Sequence, residues 1–172
     1  MSEQPKQLIS DTQAAFRAQP EAAKATFRSS SRLTEGFRSE VSIRQHRLAA
    51  DEPAALGGAD SGPNPVELIL AALGTCQEIT YRAYATAMGI SLESVSVELE
   101  GDIDLRGFFA VDESVRSGYQ KIRGTVRIES SASEAELEKL RAVVDAHCPV
   151  LDILTNKVPV SLNLSINSTT PA

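Results

Sequence analysis

The sequence predicts an α+β fold, with antiparallel strands packed on one deeply buried helix, and three observations carry that prediction. Residues 94–100 and 121–129 alternate apolar and polar side chains, the period of a half-buried strand. Residues 65–88 instead repeat apolar side chains at helical spacing, between a strong start signal and a glycine stop. The order of elements is β-β-α-β-β-α-β, which places hairpins and helices in alternation without a parallel crossover pattern.

The first 25 residues read as an extension. Leu8, Ile9, Ala15 and Phe16 fit one weakly amphipathic helix, which Pro20 interrupts. Residues 26–172 form one domain on this reading. Residues 26–49 give two strands turning near Gly36, with Val41 and Ile43 alternating against Glu40, Ser42 and Arg44. The run ADEPAALGGADSGPN over residues 50–64 is a loop, since Gly, Pro and Asp punctuate regular structure.

The helix after it is the strongest local signal. Asn64 suits the N-cap, Pro65 the first helical position, and Glu67 the third, as in a capping box. Val66, Ile69, Leu70, Leu73, Cys76, Thr80, Ala83 and Ala87 follow at helical spacing. Leu68, Ala71 and Ala72 make the first turns apolar almost all round, the mark of a helix enclosed by other elements. Gly89 ends it, with Ile90 placed for the hydrophobic contact beyond a C-cap. Ser133 and Glu136 start a second helix whose Leu137, Leu140, Val144 and Cys148 share a face, and Pro149 stops or bends it. A short turn or helix covers residues 150–155. The last strand is predicted over residues 158–166, where Val158, Val160, Leu162, Leu164 and Ile166 alternate with polar residues.

Composition excludes several functions. The chain of 172 residues has 17 basic and 23 acidic side chains, a net charge of −6 that disfavours nucleic acid and anionic membrane surfaces. No stretch approaches the roughly 20 apolar residues of a membrane span. The N-terminal residues lack the apolar core of a secretory signal, which points to the cytoplasm. There a permanent disulfide is disfavoured.

The two cysteines, Cys76 and Cys148, stand 72 positions apart, each on the apolar face of a predicted helix. That spacing fits neither a zinc site nor a disulfide scaffold, and Asp51, Glu52, Asp60, Asp102 and Asp104 form no metal-ligand pattern, so no metal or cofactor is expected. Two isolated core-facing thiols suggest a pair that meets in space and works by redox chemistry. Two inert core thiols are the competing reading, because free cysteine often serves as a small hydrophobe. A structural disulfide is a third. If the pair is reactive, the dipoles divide its labour. Cys148, at a helix C-terminus, has its thiolate disfavoured, so Cys76 attacks and Cys148 resolves. Cys76 lies too deep in its helix for the N-terminal dipole, so an arginine must reach it through the fold. The capping box alone explains Glu67, and a role beside that arginine is the alternative. His46 and His147 have no spacing partner and read as structural.

The run LGGADSGPNPVELILAALGTC, the following ITYRAYATAMGISLESVSVELEGDIDLRG and the later HCPVLDILTNKVPV resemble the OsmC/Ohr family of osmotically inducible and organic-hydroperoxide-resistance proteins, in its OsmC-like branch. The similarity spans residues 26–166. It implies the OsmC-like fold, with antiparallel sheets packed on long central helices in an intertwined homodimer whose active sites lie at the interface. It also implies a thiol-dependent peroxidase that reduces organic hydroperoxides with Cys76 and Cys148 and is recycled by an external thiol or dithiol. The family glutamate directly follows the proline. This chain carries Val66 there and Glu67 one place later, a rotation of about 100° around the helix. The family arginine is best matched by Arg32, with Arg38 next. Two other readings remain beside the peroxidase. One is a non-catalytic dimer that binds a small apolar or electrophilic ligand at the interface. The other is a cysteine hydrolase or acyl transferase with His147 as base.

Overall fold

The computed structural model describes residues 3–166. Helix α1 (Glu3–Ala18) ends just before Pro20, which opens a single 3-10 turn over Pro20–Ala23. Its apolar positions are poorly covered: Leu8 is 68% exposed, although the helix packs against α2 (Pro65–Met88).

Three strands follow where two were expected. Strands β1 (Ser30–Glu35), β2 (Arg38–Ile43) and β3 (His46–Ala50) form an antiparallel sheet in the order β1-β2-β3. The first turn is at Gly36, with φ 53°, as predicted. A second tight turn holds Arg44 at φ 54° and sends residues 46–50 back along β2. No glycine marks that second turn, so its sequence gives little warning of it. Val41 pairs with Leu48 and Ser31, which puts Leu33, Val41, Ile43 and Leu48 on one face by strand alternation. Neither α2 nor any other helix packs extensively on this sheet.

Helix α2 runs for 24 residues between its N-cap Asn64 and its C-cap Gly89, an αL residue with φ 72°. The Asn64 side chain accepts from the Glu67 amide at 2.9 Å, and the Glu67 carboxylate accepts from the Asn64 amide at 2.8 Å. At the other end the Ile90 amide donates to the Ala85 carbonyl, and Ile90 is buried. Strands β4 (Ser94–Ile103) and β5 (Tyr119–Glu129) make a second, two-stranded antiparallel sheet, in register at Val95 with Ile128 and Val97 with Val126. Their connection contains a short helix α3 (Leu105–Phe108), capped by Asp104. Helix α4 (Glu134–His147) begins with the Ser133–Glu136 capping box, and α5 (Pro149–Thr155) follows at once. Cys148 is the last cap of α4 and the first of α5, since Pro149 cannot continue α4 but suits the first position of a new helix.

The core lies between α2, α4 and the β4–β5 sheet. Tyr81, Ala85, Ile90, Leu92, Leu140 and Val144 form it, each at most 5% exposed. Gly74 of α2 faces Leu99 and Val97 of β4.

Two expectations are corrected within the single chain. Residues 158–166 are not a strand: Val158, Val160, Leu162, Leu164 and Ile166 are 51–91% exposed and pair with no other segment. Alternation specifies a face to bury, but a strand also needs an edge to bond, and among the described residues no strand supplies one there. The first turns of α2 are also less enclosed than their composition implies, with Ile69 41% exposed.

Candidate active site

Cys76 sits in the fourth turn of α2 and Cys148 at the α4–α5 junction, so the packing of these helices determines whether the thiols meet. They do. The two sulfurs lie 3.4 Å apart, both as free thiols. Cys148 is buried at 1% exposure, whereas Cys76 is half-buried.

The surroundings of Cys76 act in both directions. Burial pushes its thiol up, and the neighbouring Cys148 adds to that effect, while the backbone amide of Val150 and the Thr80 hydroxyl favour the thiolate. The Thr80 hydroxyl also donates to the Cys76 carbonyl at 2.7 Å. Sequence reasoning did not single out either group. Thr80 was visible as the residue one turn beyond Cys76, but the Val150 amide becomes a partner only because Pro149 restarts the chain as α5.

The remaining candidates lie elsewhere. Glu67 is exposed and engaged in the α2 capping box. Arg32 is exposed on β1, opposite Glu40. Arg38, on β2, donates from Nη1 to the Ser61 hydroxyl at 2.8 Å and has Nη2 4.0 Å from a Glu40 carboxylate oxygen. Arg82, the basic residue of α2, donates to the Leu92 and Glu93 carbonyls. His147 is exposed and stacks on Tyr84 with ring centroids 5.4 Å apart. Among the described residues, no three His, Cys, Asp or Glu side chains converge on a metal position.

Asp51, one of the five acids without a metal-ligand pattern, is a buried carboxylate. It is 2% exposed, and its carboxylate accepts from the amides of Glu52, Ala59 and Ser61 and from the Ser61 hydroxyl. These bonds, the Ser61 amide foremost, hold its carboxyl below the usual aspartate range. The loop closes over ten residues with no periodic signal, so only the folded path shows that Ser61 returns to Asp51.

A cleft of about 450 Å³ opens where β5 meets α2 and α5. Leu73, Leu99, Ile122, Leu151 and Leu154 line it together with the charged Arg116, Lys121 and Arg123. Leu73 lies one turn before Cys76 and Leu151 three residues after Cys148.

Comparison with known proteins identifies the architecture. Residues 58–163 match the family described as OsmC-like protein. A curated relative, the uncharacterized protein YmaD of Bacillus subtilis (strain 168), is 28% identical over 120 residues, covering 66% of this chain and 75% of that protein. The crystal structure of an OsmC-like protein from Mycoplasma pneumoniae superposes with a TM-score of 0.67 at 20% identity, over 77% of this chain and 89% of that one. An organic hydroperoxide resistance protein, OsmC, from Legionella pneumophila superposes with a TM-score of 0.59 at 24% identity, over 77% of this chain and 90% of that one. The mixed helix-and-sheet fold with antiparallel sheets is the OsmC-like fold, and the chain belongs to the OsmC-like protein family.

Proposed function

We propose that the chain is a thiol-dependent peroxidase that reduces organic hydroperoxides to alcohols, and the observation that carries this reading is the 3.4 Å approach of Cys76 and Cys148. The Cys76 thiolate attacks the terminal peroxide oxygen and the O–O bond breaks. The alkoxide leaves and takes a proton to become the alcohol, and Cys76 is left as a sulfenic acid. The Cys148 sulfur then displaces the hydroxyl, which leaves as water, and a disulfide joins the two residues. An external thiol or dithiol supplies two electrons and two protons to restore both thiols.

The differing exposure of the thiols supports the order of events. Half-buried Cys76 can meet substrate, whereas buried Cys148 can meet only Cys76. The five apolar side chains in the adjacent cleft favour an organic over an inorganic peroxide. Relatives named for organic hydroperoxide resistance support the same chemistry. The proposal places the protein in the cytoplasm as a homodimer, with residues 26–172 as the working domain and 1–25 as an extension. Arg32 and Glu67 enter the site through the family resemblance alone.

The test is consumption of cumene hydroperoxide with a dithiol reductant. Wild type should turn over, Cys76→Ser should not, and Cys148→Ser should accumulate the sulfenic acid, seen as a dimedone adduct by mass spectrometry. Equal, negligible consumption by wild type and Cys76→Ser would overturn the reading.

The cleft favours one alternative: a dimer that binds a small apolar or electrophilic ligand without turnover. Native mass spectrometry that finds a retained ligand on a protein unable to consume peroxide would select it.

A further inference from the structure

The Tyr81 ring is built into the core at 2% exposure, yet its hydroxyl bonds to no described residue. Every fully enclosed side-chain nitrogen or oxygen among the described residues has a partner, so this hydroxyl is not sealed. It opens on a cavity. Tyr81 stands five positions after Cys76 on α2, about 140° around the helix, so the cavity is distinct from the thiol site.

Helix α4 packs on α2 and α5 but not closely on β5, and a space of about 430 Å³ lies between helix and strand. That volume is in the range of small-ligand sites. Val126, Ile128 and Leu137 give it an apolar wall, and Glu138, Arg141 and Asp145 line it from one face of α4. Two carboxylates stand against one guanidinium. Arg141 Nη1 is 3.9 Å from Glu138 and Nε is 3.7 Å from Asp145, too long for hydrogen bonds. All three side chains are at least half exposed, so both ion pairs are weak. Burial first, and then Asp145, raise the Tyr81 phenol; Arg141 opposes them and Glu138 adds to them. The phenol therefore keeps its proton at neutral pH, with its oxygen lone pairs still free to accept.

These features select a ligand. The apolar wall asks for a hydrocarbon body, and the excess of carboxylates asks for a positive charge. An anion would meet two carboxylates for one guanidinium. An ammonium group has three donors, which match the Tyr81 oxygen, Glu138 and Asp145. Its alkyl chain would cover Val126, Ile128 and Leu137, while Arg141 turns out to solvent.

We propose that the cavity between α4 and β5 binds a protonated aliphatic amine through Tyr81, Asp145 and Glu138, and that Arg141 is the resident cation it displaces. The site uses neither cysteine and stands whether or not the protein consumes peroxide.

The experiment titrates hexylamine at pH 7 into the ¹⁵N-labelled full chain and follows the backbone amide shifts, with hexanol and hexanoate as the neutral and anionic probes. Hexylammonium should give saturable shifts at residues 137–145 of α4 and 124–128 of β5. Hexanol should bind about tenfold more weakly, for want of charged hydrogen bonds, and hexanoate more weakly still. Asp145→Asn and Tyr81→Phe should each weaken hexylammonium, the former about tenfold. Arg141→Ala should tighten it about threefold, since two weak ion pairs no longer compete. Asp145 and Arg141 are exposed, so these two variants keep the fold even if Tyr81→Phe loosens the core. Hexanoate or hexanol binding as tightly as hexylammonium would overturn the proposal. So would shifts absent from these segments, or an Arg141→Ala variant that loses binding.

Discussion

The Tyr119 hydroxyl donates to the Val66 carbonyl at 2.9 Å, joining the start of β5 to the first turn of the helix that carries Cys76. The two residues are 53 positions apart, so this bond fixes the sheet against the helix N-terminus rather than reinforcing either element. Burial raises the Tyr119 phenol, with the Glu67 carboxylate contributing, so the hydroxyl stays a donor at neutral pH.

Tyr119→Phe should therefore cost about 1 kcal/mol, the usual net worth of one such bond. The carbonyl is left in a helix turn that water can reach, which keeps the loss at this modest level. Urea unfolding should show a lower midpoint with an unchanged m-value, since the ring and its packing remain. A midpoint equal to wild type would show that the bond contributes nothing.

Asp51 links stability to acid. Its carboxyl is lowered in the folded protein by the Ser61 amide first, then the Ser61 hydroxyl, with the Glu52 and Ala59 amides adding to this and burial opposing it. A depressed folded value means the unfolded chain binds the proton more readily. The stabilisation is thus fully present above the ordinary aspartate value of about 3.9 and is lost as pH falls through the lower folded value. Thermal unfolding followed from pH 6 down to pH 2 should fall less steeply in Asp51→Asn than in wild type. Parallel curves would show that Asp51 titrates alike in both states.

Glycine replacement should have opposite signs at two positions on the α2–β4–β5 contact. A Cβ on Gly74 would sit 3.7 Å from Leu99 and 3.9 Å from Val97, ordinary contact distances. Gly74→Ala should stabilise by about 0.5–1 kcal/mol, the helix-interior difference between the two residues. On Gly124 a Cβ would lie 2.2 Å from the Glu98 carbonyl oxygen, so Gly124→Ala must displace backbone and should cost about 1–3 kcal/mol. Calorimetry of both variants decides it, and equal shifts of one sign would contradict the packing described.

The features legible in the sequence are those that local chemistry dictates. Asn64 and Glu67, Ser133 and Glu136, Gly89 and Pro149 each stood within a few residues of the structure they fix, and the structure places a cap, stop or restart at each. Alternation gave β4 and β5 because both sides of that hairpin lie within one chain. The turn at Arg44 was missed because no glycine announces it. In the site, helical spacing put Cys76 and Cys148 on inward faces, but only the packing of α2 with α4 and α5 brings the sulfurs together. The Asp51–Ser61–Arg38 connection was illegible for a related reason, since it depends on the irregular path of a loop.

Residues 158–166 show how far a strand signal can go without an edge to bond. Their alternation is as regular as that of β4, yet within one chain Leu162 is 91% and Leu164 86% exposed. In an isolated chain, charge at two such exposed positions changes stability by no more than about 0.5 kcal/mol each. In a homodimer that buries them, each leucine contributes roughly 1.5–3 kcal/mol of apolar burial, and placing a carboxylate there adds a desolvation penalty. Leu162→Glu combined with Leu164→Glu should therefore convert the proposed homodimer to a monomer, read by light scattering at micromolar concentration, while circular dichroism retains the helix signal of α2 and α4. A variant that keeps the wild-type mass would show that this run is not part of the interface, and its apolar face would then need another cover.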